Sequence, residues 1–159
     1  MRKANREIKT RDGILSVISG AVVCRIGMYA EGEVYIVPMN FGFDIEESGT
    51  LILYFHCANE GKKLDMIAKN PEVCFEMDTA REFVASDTED ACGSTMNYES
   101  IIGHGRIEVL TDHEERVKGL TCLMKHYSAG DSFLFDEREL SRTIVLKLCV
   151  RSCTGKRLP

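Results

Sequence analysis

The sequence predicts a mainly β domain, six or seven antiparallel strands with a few flanking helices, curled into a closed or nearly closed barrel. Three observations carry this. Short runs rich in β-branched and aromatic residues follow one another with brief turns between them, the pattern of hairpin-connected strands. Apolar residues at helical spacing occur in only three places. The chain has 159 residues, enough for one core of ordinary size and too few for two, so residues 1–159 are read as a single domain.

Thr10-Arg-Asp-Gly opens the first helical stretch, with Ile14, Leu15 and Ile18 on one face and Gly20 as its end. Ala21 to Met28 is rich in β-branched residues and reads as a strand, Ala30 to Glu33 as a turn, and Val34 to Phe43 as a second strand. Pro38 interrupts that strand; lacking an N–H to donate, it places the strand at an edge or at a bulge. Ile45 to Thr50 turns the chain into Leu51–Cys57, so that three strands in a row suggest a meander. The period then changes. Leu64, Ile67 and Ala68 mark a helix within Asn59 to Asn70, with Asn59 as its expected cap and Pro71 as its stop. Val73–Met77 and Glu82–Ala85 read as two strands, Ser86 to Glu99 as an aperiodic loop, and Ser100–Leu110 as a further strand. Asp112 begins the clearest helix, with Val117, Leu120, Thr121 and Met124 on one face, acids in its first turn and Lys125 and His126 in its last, as the helix dipole favours. Thr143–Val150 is the final strand.

Composition narrows the function. Hydrophobic residues make up 44% and charged residues 28%, so a folded globular domain is expected and not a disordered chain. A formal net charge of −5 argues against a general nucleic-acid binder, whose affinity needs a basic surface. No apolar run approaches the roughly 18 residues of a membrane span, and no apolar segment follows the polar start, so neither a membrane anchor nor a secretory signal is expected. Seven scattered cysteines without a CxxC pair read as reduced thiols, and the protein is expected to be cytoplasmic. Cys24, Cys57 and Cys74 fall in apolar strands and act as small hydrophobes. Cys149 and Cys153, with three residues between them, could hold a disulfide or a metal, but two ligands make no metal site and the pair has no assigned role.

Three stretches carry chemistry. In Leu51–Cys57 side chains alternate, so Leu51, Leu53, Phe55 and Cys57 face the core while Ile52, Tyr54 and His56 face the other way. Directly after come Lys62 and Lys63 in the first turn of a helix, where the dipole disfavours cations and backbone N–H groups lack partners. A phosphate placed there answers both, and Gly61 lets the backbone approach it. Solvated lysines offset by Glu60 are the simpler alternative. Ile36 to Phe43, broken at Pro38, offers unpaired backbone groups beside Asn40 to the polar edge of a flat heterocycle; a plain edge bulge explains the pattern as well. Ala91 to Gly103 supplies the hydroxyls of Ser94, Thr95, Tyr98 and Ser100.

Taken together, Val37-Pro-Met-Asn-Phe-Gly-Phe43, Leu53-Tyr-Phe-His-Cys-Ala58, Glu60-Gly-Lys-Lys-Leu-Asp-Met66, Asn70-Pro-Glu-Val-Cys-Phe-Glu76, Thr95-Met-Asn-Tyr-Glu-Ser-Ile-Ile-Gly103 and Thr154-Gly-Lys156 resemble the pyridoxamine-phosphate-oxidase-like FMN-binding split barrels, and within them the 5-nitroimidazole resistance group. The resemblance spans about Ala21 to Tyr127. It implies a split barrel that forms a homodimer, with FMN in clefts between the chains. On that resemblance Pro38, Met39 and Asn40 lie against the flavin ring, Tyr54, Phe55 and His56 line the pocket, and Lys62 and Lys63 hold the phosphate. Ser100 and Ile101 approach at the dimer interface, and His56 faces the substrate. Met39 stands where a small aliphatic residue is usual, Gly93-Ser94 where an aromatic is frequent, and Asn97 and Glu99 where basic residues are common.

The expected function is that of an FMN-dependent oxidoreductase taking hydride from NADH or NADPH and passing electrons to a small acceptor, a nitro-aromatic by resemblance. An imidazole can hold or give a proton near neutral pH, which suits His56 as the catalytic group. No dinucleotide-binding glycine fingerprint is present, so a nicotinamide is expected to bind only transiently. Two alternatives stand beside this reading. One is a non-catalytic flavin or haem carrier with His56 or His104 as axial ligand. The other is pyridoxamine-phosphate oxidation itself, for which no cluster of extra arginines is seen.

Overall fold

Thr10 accepts a hydrogen bond from the Gly13 N–H at 3.2 Å and so caps α1 (Arg11–Gly20), where the helical spacing predicts it. The computed structural model describes residues 3–128 and 130–158. Ahead of α1 a short 3₁₀ turn and the two-residue strand β1 (Glu7–Ile8) begin the chain. The hairpin of β2 (Cys24–Ala30) and β3 (Glu33–Met39) turns at Glu31 and Gly32, both at positive φ (51° and 85°), the backbone of a tight two-residue turn. A second hairpin joins β4 (Gly42–Ile45) to β5 (Leu51–Ala58). Then come α2 (Lys62–Lys69), β6 (Glu72–Val84), β7 (Thr95–Leu110), α3 (His113–Tyr127), α4 (Glu137–Arg142) and β8 (Thr143–Leu158).

All the pairings are antiparallel, in the order β3-β2-β6-β7-β8-β5-β4, with β1 on the far half of β8. β3 and β4 are neighbours in sequence but stand at opposite ends of this order. The eight-stranded sheet therefore curls without closing, and the fold is a split barrel. Here the structure corrects two expectations. Val34–Phe43 is not one strand: it breaks at Asn40–Phe41 into β3 and β4. The meander fails with it, since β4 pairs only with β5.

The inner face is one apolar core drawn from every part of the sheet. Phe41, Phe55 and Phe75 are fully buried there, alongside Ile26, Met77 and Ile101. Each buried ring of this kind contributes about 1.5–3 kcal/mol relative to an exposed one. Val17 and Ile18 of α1 and Met66 and Ile67 of α2 plug the same core. On the outer side, α3 covers β5, β4 and β8 through a smaller cluster of Ile52, Tyr54, Leu110, Leu123 and Val145.

Other elements differ from expectation for local reasons. α2 starts at Lys62 after Gly61, whose φ of 132° suits only glycine, and Asn59 does not cap it. β6 runs unbroken through a bulge between Ala80 and Phe83, absorbing two expected strands into one. The packed face of α3 centres on Gly119 and Leu123, while Met124 is exposed. β8 also bulges, opposite His104–Gly105, so Cys149 packs beneath α3 while Cys153 packs against the barrel core. The two thiols face opposite sides of the sheet. Burial pushes the thiol pKa values of Cys24, Cys57, Cys74, Cys122, Cys149 and Cys153 upward, which suits inert reduced thiols.

Candidate functional site: a cleft at the barrel split

The split is where backbone polar groups lie open. Among the described residues β3 pairs with β2 alone, ending at Cys24↔Met39, and its other edge has no strand partner. β5 pairs with β4 only as far as Gly42↔Tyr54; beyond that, Phe55 to Ala58 pair with β8 alone. Between these two open edges the chain passes through Asn40 and Phe41. Pro38 sits in β3 opposite Arg25, at the sheet edge that its missing N–H requires.

Asn40 and His56 share a cleft of about 340 Å³ beside this split, walled by Leu120, Met124 and Tyr127 of α3 and by Phe135 from the loop that follows. His56 is exposed and points to the α3 side of β5, as strand alternation predicts. Tyr54 points the same way two residues earlier but is only 3% exposed, because Gly119 lets α3 sit directly on its ring. Phe55 and Ile101 are fully buried in the barrel core, and Met39 nearly so. The expectation that Tyr54 and Phe55 line the pocket is therefore one that their buried side chains cannot meet directly. Tyr54, Phe55, Met39 and Ile101 can meet a ligand only through backbone groups.

Lys62 and Lys63 open α2 just past the end of β5. The N-terminal turn has no side-chain cap, so its first N–H groups are available to an anion. A Cβ on Gly61 would meet no atom within 4 Å, so the approach is open. Lys62 is already engaged: its Nζ binds Glu33 and lies 5.0 Å above the Tyr35 ring. Among the described residues Lys63 has no carboxylate within ion-pair distance, and its charge bears on Cys57, against the burial that raises that thiol's pKa.

Ser100 stands elsewhere. It is half-buried on β7, between Asp78 and Lys156 on the outer face. Lys156 and Val145, the β8 residues opposite Ser100 and His56, are eleven positions apart, roughly 35 Å along an extended strand. One chain does not bring Ser100 and His56 together. Nearby, Glu99 is the buried carboxylate of the structure at 7% exposure, held by Arg81 at 2.6 Å and flanked by Arg157. It serves this ion cluster and not the cleft. His104, on the outer face opposite Cys74, lines a separate groove of about 560 Å³ with Arg25, Tyr29, Val34 and Ile36. Among the described residues no three His, Cys, Asp or Glu side chains gather as metal ligands.

Sequence reasoning missed Met124, Tyr127 and Phe135. Met124 is exposed on α3, Tyr127 stands one turn beyond the packed Leu123 with part of its surface open, and Phe135 belongs to an aperiodic loop. Met124 and Tyr127 are large apolar residues at exposed positions, a signal that shows only once exposure is known, and Phe135 is half-buried.

The comparisons with known proteins agree with this architecture. The sequence profile of the pyridoxamine 5'-phosphate oxidase family matches residues 10–157. A candidate 5-nitroimidazole antibiotic resistance protein from Bacteroides thetaiotaomicron is 31% identical, with a TM-score of 0.80 over 94% of this chain and 85% of that one. An FAD and heme binding protein from Mycobacterium smegmatis has the same fold at 17% identity, with a TM-score of 0.80 over 96% of this chain and 73% of that one. A FAD-binding protein from Mesorhizobium loti shares it at 18% identity, with a TM-score of 0.65 over 94% and 96%. No curated protein matches the sequence. With nearly its whole length matched by the family profile and its sheet split where β3 and β4 part, the chain belongs to the pyridoxamine 5'-phosphate oxidase family.

Proposed function

We propose that the chain binds FMN at the barrel split and acts as an oxidoreductase toward a small acceptor without a phosphate, such as a nitro-aromatic, with NADH or NADPH as reductant. The observation that carries this reading is the cleft shared by Asn40 and His56 between two unpaired strand edges. The flavins named for structures of the same fold support the cofactor class, and the similarity to a candidate nitroimidazole resistance protein supports the acceptor class.

The residues present fit such a group. The open edges of β3 and β5 offer backbone N–H and C=O groups to the polar rim of a flat heterocycle, and Leu120, Met124 and Phe135 offer it an apolar wall. Lys63 and the free N–H groups of α2 suit the phosphate, and Lys62 joins them on exchanging Glu33 for it. When bound, FMN supplies the redox chemistry, storing electrons between donor and acceptor. The chain positions, excludes water and moves protons: His56 at the cleft mouth can give a proton to a reduced acceptor. Among the described residues of one chain no arginine or lysine lines this cleft, which favours an acceptor without a phosphate over pyridoxamine phosphate. Ser100 reaches such a site only from a second copy of the chain, which makes a homodimer part of the proposal.

Visible spectroscopy with FMN titration tests the reading. The purified protein should be yellow or take up one FMN per chain, and the bound flavin should bleach anaerobically with NADH or NADPH. Lys62→Ala with Lys63→Ala should weaken binding at least tenfold, the scale of losing charge-assisted bonds to phosphate. A colourless protein indifferent to FMN refutes the proposal, a haem spectrum replaces it with haem carriage, and bound flavin that never bleaches reduces it to a flavin carrier.

A further inference from the structure

The wall of the cleft rests on a turn that no strand holds. Asn40 and Phe41 lie between β3 and β4, which pair at opposite ends of the sheet. Phe41 has its side chain fully buried, and its N–H finds its partner outside any β-ladder. It donates to the Tyr127 hydroxyl at 3.0 Å, and that hydroxyl donates in turn to the Val22 carbonyl at 2.8 Å. The same carbonyl accepts a longer bond, 3.4 Å, from Asn40 Nδ2. One residue earlier the Ala21 carbonyl lies 2.8 Å from His126 Nε2; a carbonyl can only accept, so Nε2 carries a proton. Two consecutive side chains at the end of α3 thus grip two consecutive carbonyls after α1. The Asn40–Phe41 turn is pinned between them.

Tyr127 is 44% exposed and lines the same cleft as Asn40 and His56, so this residue is not placed mainly for core burial. His126 meets its ring edge-on with centroids 4.7 Å apart and also packs on Phe41 at 4.4 Å, which fixes the direction of the phenol. A tyrosine oxygen that both accepts and donates can satisfy one backbone N–H and one C=O at once. Phenylalanine can do neither.

We propose, resting on the flavin reading above, that Tyr127 is a positioning residue: its hydroxyl sets the Asn40–Phe41 turn and thereby the orientation in which Asn40 meets the bound heterocycle. The last turn of α3 is then part of the cofactor site although it lies far from β3 in sequence. Neither the open strand edge nor Asn40 would hold one orientation without it.

The test is Tyr127→Phe, which removes one oxygen and keeps the ring. The variant should fold by far-UV circular dichroism, bind FMN about tenfold more weakly, the scale of one hydrogen bond and its unsatisfied partner, and show a shifted, broadened absorption band for the flavin that does bind. Thr121→Ala is the control. It loses a hydroxyl bonded to the Val117 carbonyl at 2.8 Å on the same helix, away from the turn, and should keep wild-type affinity and spectrum. Wild-type affinity and spectrum in Tyr127→Phe overturn the proposal while the flavin reading stands. Equal losses in both variants also overturn it, since any loosening of α3 would then suffice. Wild-type protein that takes up no FMN fails the flavin reading itself, and this proposal with it. Hydrogen exchange of the Phe41 amide in ligand-free wild type decides the matter even where Tyr127→Phe does not fold. Slow exchange is expected, and exchange at an open-loop rate overturns the proposal.

Discussion

Lys118, on the exposed side of α3, reaches Asp44 on β4 at 2.8 Å and helps to hold the helix over the split. That contact has a pH signature. The hydrogen bond from Lys118 holds the Asp44 carboxyl below its ordinary range, against a smaller opposing effect of burial, and the same bond raises Lys118. A carboxylate whose folded pKa is depressed adds stability above its unfolded pKa, near 4, and that stability is lost as pH falls through the folded value. For Lys118 the sign reverses: its share is present below the unfolded lysine pKa and fades as pH rises through the raised one. Both groups are substantially exposed, so the effect is modest. Urea denaturation should find Asp44→Asn less stable than wild type between pH 5 and 8, with the gap closing below pH 4. A gap that stays undiminished in acid strong enough to protonate the carboxyl would mean that the pair is held by packing and not by charge.

At the scale of elements, α3 lies so close to β4 that only glycine fits between them. A Cβ on Gly42 would fall 2.3 Å from the Cys122 carbonyl carbon and the Leu123 nitrogen, both backbone atoms that cannot swing away. Gly42→Ala should therefore cost about 1–3 kcal/mol, as overpacking does, lowering the thermal midpoint. Because the displaced helix carries the wall of the cleft, FMN affinity should fall too. An unchanged midpoint would show that the helix can shift freely. This close approach marks the limit of what the sequence made legible. Capping and period exposed α1 and the start of α3, through Thr10 and Asp112, and strand alternation assigned the faces of Leu53, Tyr54, Phe55 and His56 correctly. Those are local signals. The split was hidden because Val34–Phe43 reads as one apolar run; only the pairing of Gly42 with Tyr54, twelve residues on, divides it. Likewise α2 is opened by a glycine with positive φ and not by Asn59, and the two bulges in β6 and β8 reset which residues share a face. Such features arise from contacts between distant segments, and no residue announces them.

The whole molecule leaves one broad face uncovered. Tyr29, Val34, Ile36 and Ile102 project from the outer side of β2, β3 and β7, with Val34 and Ile36 at 68% and 62% exposure. Ion pairs frame them: Arg25 with Glu76 and Asp78, and Arg106 and Arg151 with Glu72. An apolar patch rimmed by paired charges has the anatomy of a protein interface. Ser100 lies on this same side of the sheet, too far along β8 from His56 to serve its own cleft. A second copy seated here would cover the apolar residues and carry its own Ser100 with it, and so could complete the partner's site. Ile36→Asp with Val34→Asp places two carboxylates in the centre of the patch, where docking would strip their water at a cost of several kcal/mol. Sedimentation should report a dimer for the wild type and a monomer for this variant, with the β-sheet signature in circular dichroism retained. FMN affinity measured on that monomer separates two architectures. A loss of tenfold or more means that each cofactor is held by both chains; full affinity in a monomer would leave Ser100 without a role and confine the site to the split of a single barrel.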